Sequence, residues 1–234
     1  MFLLSDSGLF SVDASPKPNS RIFRVVVATA MVFVPGVVAT FAEQPTPLGP
    51  EMLEQLYGTG VDFNTFLKIA DNRGALTQLA NPWNSNWRKS GPSDDQVSRA
   101  QSLAGSYRLL AVVSETCSDS INTIPYIARL VDRVDQLEMQ IVPPAAGRLI
   151  LEAHRAPDGR MATPTVAILN DNFEVVGTWV ERPLPLKDWW ARNSTISERE
   201  KKQRKQYWYN WDEGNHTMGE IVDLLEAADA NSGR

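Results

Sequence analysis

The stretch Thr116-Cys117-Ser118-Asp119-Ser120 holds the only cysteine of the 234-residue chain. A thiol with no second thiol in its own chain cannot close an internal disulfide. Its chemistry is then intermolecular. A thiolate attacks the disulfide of another molecule, a protein or the oxidised form of a small thiol, to give a mixed disulfide. Cys117 lies where an apolar run passes into an amphipathic one, the place of a helix start. The first N–H groups of a helix lack internal partners and carry partial positive charge, which favours a thiolate. Glu115 and Asp119 work against it, because nearby carboxylates favour the neutral thiol. A buried structural cysteine, behaving as a small hydrophobe, is the other reading of this position. The two histidines, His154 and His216, stand far from Cys117 in sequence and from each other. They form no zinc-type spacing and read as ordinary surface or packing residues. No metal and no cofactor is expected.

The elements that must position Cys117 follow from periodicity. Residues 107–115, YRLLAVVSE, form an apolar run that fits a strand buried on both faces. After Cys117, apolar residues at Ile121, Ile124, Ile127, Ala128, Val131 and Val134 predict a helix with a buried stripe, bent at Pro125. LEMQIV (137–142) predicts a second strand and GRLILEAHRA a short helix. MATPTVAILN leads through Pro164 into a third strand, which turns at Asp171-Asn172 and returns antiparallel as FEVVGTWVE. HTMGEIVDLLEAADA closes with a helix. The order strand, helix, strand, helix, hairpin predicts a mixed sheet covered by helices. Ahead of it, EMLEQLYGTG and VDFNTFLKIADNRGALTQLA read as two helices, and NPWNSNWRKSGPSDD as a loop. That loop's Ser93-Asp94-Asp95 caps a helix through about Ala104. The lone Gly-Thr-Gly at 58–60 has no glycine-rich run or Lys-Ser/Thr after it and is not a phosphate loop.

Net charge is −5, which argues against a nucleic-acid binder. The basic run EREKKQRKQYWYNW (198–211) also contains glutamates. It reads as a solvated helix whose aromatic residues tuck against the body. At the other end, Arg21 and Arg24 precede an uncharged stretch from Val25 to Ala42, and a Pro-rich linker follows to residue 50. This reads as an export signal with a long leading region, or as a retained anchor. A start site near Met52, leaving a cytoplasmic protein, is the third reading. The expected division is therefore 1–50 signal or anchor plus linker, 51–106 helical extension, and 107–230 α/β domain. The expected location is extracytoplasmic.

In this setting the motifs resemble the thioredoxin superfamily. Cys117 takes the place of the first cysteine of the family's pair, after the first buried strand. Pro125 follows eight residues on, where thioredoxins carry a helix-bending proline. Thr163-Pro164, ahead of TVAIL, looks like the cis-proline segment that faces the reactive cysteine. More closely, the chain is similar to a bacterial branch with helices ahead of the redox strand and a Trp-Cys-Gly-Asp type motif, of which TCSDS looks like a variant. GRMATPT, GTWVERP and YWYNWDEGNHTMGEIVDLL resemble later segments of that branch, so the likeness runs over about residues 51–228. The resemblance implies a thioredoxin-like α/β sandwich with an N-terminal helical extension.

Three departures bear on function. Ser120 stands where dithiol thioredoxins have the second cysteine, and Thr116 replaces the usual tryptophan. Ala111, six residues before Cys117, replaces the buried aspartate that serves the second thiol. The resemblance so modified implies a monothiol redox protein. Cys117 would form mixed disulfides with protein disulfides or low-molecular-weight thiols, and an external thiol would release them. Ser120 would hydrogen-bond the thiolate. Thr116, Thr163 and Pro164 would hold the substrate chain. A Cys117–Cys117 dimer is a further expectation under oxidising conditions. The alternative is a degenerate thioredoxin-fold module that binds peptides or proteins without redox catalysis.

Overall fold

The strand that delivers Cys117 is apolar on both faces, so the chain must cover both. The computed structural model describes residues 48–72, 82–89 and 91–232. Four helices come first: α1 (Pro50–Thr59), α2 (Phe63–Asn72), α3 (Pro82–Lys89) and α4 (Asp94–Gln101). Strand β1 (Tyr107–Val112) leads into α5 (Ser118–Ile121) and α6 (Ile124–Val131), then β2 (Leu137–Val142) and α7 (Arg148–Ala153). A hairpin of β3 (Thr165–Leu169) and β4 (Val175–Val180) precedes α8 (Leu184–Arg192), α9 (Glu198–Asp212) and α10 (Asn215–Ser232). The sheet order is β2-β1-β3-β4. β1 and β2 are parallel, with Tyr107 opposite Leu137. β3 is antiparallel to both β1 and β4.

Strand alternation sends successive side chains into two separate cores. Leu109, Ala111, Met139, Ile141, Val166 and Ile168 face one core, with residues of α2, α3, α4, α6 and α10. Leu110, Val112, Val142, Ala167 and Leu169 face the other, with Leu53 and Tyr57 of α1 and Ile150 and Leu151 of α7. The N-terminal helices also touch the sheet edge, where Val61 bridges Ile141. At Gly147, the N-cap of α7, φ is −85°, which any residue adopts. The constraint there is space, because a Cβ would come within 2.4 Å of Val112 Cγ2 at the end of β1. Gly147→Ala should therefore cost about 1–3 kcal/mol by overpacking. The check is a lower urea midpoint with unchanged slope.

The structure corrects the sequence reading at several points. The segment read as a loop contains α3. Pro82 opens that helix, where a missing N–H costs nothing. Trp83 is fully buried, and Asn86 Nδ2 donates to Ile121 O at 2.8 Å. These tertiary contacts outweigh the weak helix propensity of Asn and Ser. Ser93 does cap α4, with Gln96 in a reciprocal capping box, but α4 ends at Gln101 rather than near Ala104. Pro125 bends no continuous helix. It sits in the first turn of α6, and Asn122-Thr123 separate α6 from the short α5. The hairpin and its turn lie where the alternation placed them, and α8 was not anticipated. The largest difference is α9, which buries Lys201, Lys205 and Tyr209 and exposes Tyr207 and Trp211. Residues 1–47, with the basic and apolar segment, lie outside the described residues. No described helix is long and apolar enough to cross a membrane.

Candidate functional site

Cys117 is the N-cap residue of α5, with extended backbone (φ −76°, ψ 121°). Its carbonyl accepts from Ile121 N at 3.0 Å, and its own N–H donates to Ser114 O at 3.2 Å. The thiol is half-buried. Across from it, the Thr163–Pro164 peptide is cis. Cys117 Sγ donates to Thr163 O at 3.1 Å, across 46 residues of sequence. The segment carrying that carbonyl is fixed on both sides. Thr165 Oγ1 donates to Ala162 O at 2.8 Å, and Glu181 N donates to Pro164 O at 2.7 Å. Thus Cys117, Thr163 and Pro164 form one constellation. Thr116 lies beside it with an exposed side chain.

Ser120 is fully buried, and its Oγ has no hydrogen-bond partner among the described residues. The thiol bonds Thr163 O instead, because a protonated Sγ needs an acceptor and the carbonyl lies within reach. Ala111 is also fully buried, opposite Ile141 and Val166 in the sheet. Its register neighbours offer a carboxylate nothing to bond.

The group that sequence reasoning missed is Asp119. Its carboxylate is buried beneath the short helix that Cys117 opens. It accepts from Tyr209 Oη at 2.8 Å, from Lys205 Nζ at 2.9 and 3.0 Å, and from an Arg182 guanidinium N–H at 3.2 Å. Lys205 Nζ also donates to Ser118 Oγ at 2.8 Å. Two cations and a phenol from the far end of the chain therefore grip the two residues after Cys117. Burial, reinforced by the Asp119 carboxylate, pushes the Tyr209 hydroxyl well above its ordinary range and keeps it a donor. Glu181 places Arg182 by leaving β4 at φ +65°, a left-handed conformation that costs about 1–2 kcal/mol for a side chain with a Cβ. Its carboxylate is held by Arg160 at 2.6 and 2.7 Å. The Trp190 ring lies 4.2 Å from the Arg182 guanidinium, 5.3 Å from Lys201 Nζ and 5.9 Å from Lys205 Nζ. The one signal in the sequence was a buried-type spacing of Lys201, Lys205, Tyr209 and Asp212, on one side of a helix that composition marked as solvated.

The thioredoxin family model matches residues 67–209, more than half of the chain, from within α2 through the turn that holds Cys117 to Tyr209. The chain belongs to the thioredoxin family. Two solved structures share the fold. One is a protein of unknown function from Pseudomonas aeruginosa, 22% identical, with a TM-score of 0.54 over 75% of this chain and 97% of that one. The other is an HIV epitope-scaffold, 20% identical, with a TM-score of 0.53 over 74% of this chain and 96% of that one. Comparison with curated proteins found no match. The fold is thus a thioredoxin-like α/β sandwich, a mixed sheet flanked by helices with helical elements ahead of it. This thioredoxin-family chain carries a single cysteine, the monothiol form of the fold.

Proposed function

We propose that the chain is a monothiol redox protein that exchanges disulfides through Cys117, and that it belongs to a bacterial branch with a Cys-x-x-Ser site. The observation that carries this reading is the half-buried thiol at a helix start, 3.1 Å from the carbonyl that precedes the cis-proline. In the first step the Cys117 thiolate attacks one sulfur of a substrate disulfide. The Cys117–substrate S–S bond forms, the substrate's own S–S bond breaks, and the second sulfur leaves as a thiolate. In the second step an external thiolate attacks the substrate sulfur of this mixed disulfide. Cys117 leaves as a thiolate, and the substrate departs joined to the external thiol. Each step moves one electron pair and conserves the count of S–S bonds. Thr163 and Pro164 would pair with the substrate backbone as a strand, with Thr116 beside them. An ionised Cys117 has no proton to donate to Thr163 O. Ser120, one turn along with an unpartnered hydroxyl, is then its donor.

Substrates in this reading are protein disulfides or low-molecular-weight thiols. Residues 1–50 serve export or anchoring, 51–106 form the helical extension and 107–230 the redox domain. An extracytoplasmic setting is oxidising, so a lone thiol would pair between molecules as a Cys117–Cys117 dimer when no reductant is present.

The test is adduct formation with oxidised glutathione and with a 2-pyridyl disulfide, read by intact mass. The expected result is one adduct on Cys117, formed faster in the folded protein than in urea, released by excess thiol and absent in Cys117→Ser. A folded protein that reacts more slowly than the unfolded chain would overturn the redox reading. The peptide-binding module would then stand, because a thiol whose proton is already engaged by Thr163 O also suits a cysteine that does no chemistry.

A further inference from the structure

Helix α9 is built inside out. Its inner face carries Lys201, Lys205, Tyr209 and Asp212, all buried. Its outer face carries Tyr207 and Trp211, which are 75% and 74% exposed. The Asp119 cluster holds Lys205 and Tyr209 on the inside, and the exposed aromatic rings take the side that remains. With α8 they line a groove of about 350 Å³ formed by Leu186, Trp189, Arg204, Tyr207, Trp208 and Trp211. Large exposed apolar groups gathered in one place mark an interaction surface, whereas scattered ones do not.

We infer that the α8–α9 face docks on an anionic lipid surface. Three observations select that occupant. The first is residue type. Trp and Tyr, with an apolar body and a polar tip, are the side chains that settle at headgroup level. The second is charge. Between Leu184 and Trp211 the sequence has seven Lys and Arg against three Asp and Glu, and five bases against three acids once the inward, buried Lys201 and Lys205 are set aside, in a chain of net charge −5. The acidic excess therefore lies elsewhere, and the uneven distribution turns this face toward a negative surface. The third is geometry. Arg204 lies on the same side of α9 as Tyr207 and Trp211, three and seven residues ahead of them, and Arg192 is exposed three residues after Trp189 on α8. Long basic side chains reach headgroup phosphates while the rings enter the interface. A single nucleic-acid strand suits the face less well. It needs a continuous basic track, and here Glu198 and Glu200 interrupt the bases and pair with Lys201 and Arg204.

The experiment uses the full chain with residues 1–47 retained, so that any membrane affinity of that segment is common to all variants. Binding is measured by sedimentation with vesicles of phosphatidylcholine alone and of phosphatidylcholine with phosphatidylglycerol. Tryptophan emission is followed in parallel. The expected result is tighter binding to the anionic vesicles with a blue shift. Arg192→Gln/Arg204→Gln should weaken that binding by about tenfold or more, from the loss of two basic contacts. Tyr207→Ser/Trp211→Ser should weaken it by a similar factor and reduce the shift. Both variants change exposed side chains only, so unfolding midpoints should stay near the parent value. Equal vesicle binding by parent and variants overturns the proposal. So does equal binding to neutral and anionic vesicles. Binding of a single-stranded oligonucleotide in place of vesicles, or a parent dimer that Tyr207→Ser/Trp211→Ser dissociates, assigns the face to another occupant and overturns it as well. The Cys117 adduct assay is unaffected by any of these outcomes.

Discussion

Replacing Asp119 by alanine should lower the folding stability by about 3–5 kcal/mol, because it strands buried cations. Lys205 and Arg182 are both less than a tenth exposed, and Asp119 accepts from each. Without it Lys205 would keep only the Ser118 hydroxyl, Arg182 would be left with Glu181 alone at 2.8 Å, and Tyr209 would lose its acceptor. Urea unfolding measures the loss. A double-mutant cycle with Lys205→Met isolates the pair, since removing both partners together should cost much less than removing Asp119 alone. The redox turn should loosen at the same time, and Cys117 should alkylate faster under native conditions. A midpoint shift worth less than about 1 kcal/mol would show that the cluster does not clamp the turn.

The second large effect is a gain. Ser120→Cys should create a closable pair with Cys117. Residue 120 lies one turn after residue 117 on nearly the same face, so the two Cβ atoms can approach the range of about 3.5–4.5 Å that a disulfide requires. While Cys117 is protonated the exchange gives up no hydrogen bond, because Ser120 Oγ has no partner among the described residues. Under mild oxidant the variant should form the intramolecular bond, shown by a loss of two mass units and by peptide mapping. In its dithiol form it should reduce protein disulfides without an external thiol for the release step, the two thiols closing to a disulfide as the substrate leaves. Adding Ala111→Asp supplies the proton acceptor that this pair lacks, but at a cost in stability. Residue 111 is fully buried opposite Ile141 and Val166, and a carboxylate there finds no partner among its register neighbours. Two free thiols, or intermolecular bonds alone, in oxidised Ser120→Cys would remove Cys117 from the redox position.

The parts of the fold that were legible are those set by local period. β2 runs over Leu137–Val142, the boundaries its residues suggested, and β1 begins at Tyr107 as expected. The apolar run past Val112 leaves the ladder because the chain must turn toward Cys117. The illegible parts depend on distant partners. Asn-Pro-Trp-Asn-Ser-Asn has the composition of a turn, yet Trp83 and Asn86 find buried places and hold α3. Cys117, Thr163 and Pro164 were found because each occupies a position of a familiar pattern. Asp119 stood among them and was read only as a charge unfavourable to the thiolate. Its three donors lie 63, 86 and 90 residues away. Within the run of lysines only the four-residue spacing of Lys201, Lys205 and Tyr209 hints at which two are buried.

That separation has a consequence for the newly made chain. At about 5–20 residues per second of synthesis, the turn holding Cys117 leaves the ribosome on the order of 5–20 s before Tyr209 leaves it. Through that interval Asp119 has no Tyr209 and no Lys205 to hold it, and for most of it no Arg182. The thiol is then that of an unfolded peptide, open to any oxidant or disulfide nearby. Its surroundings are completed by the ninth helix, late in translation. A chain that stalls before Lys205 carries the same thiol without the frame that surrounds it in the finished protein.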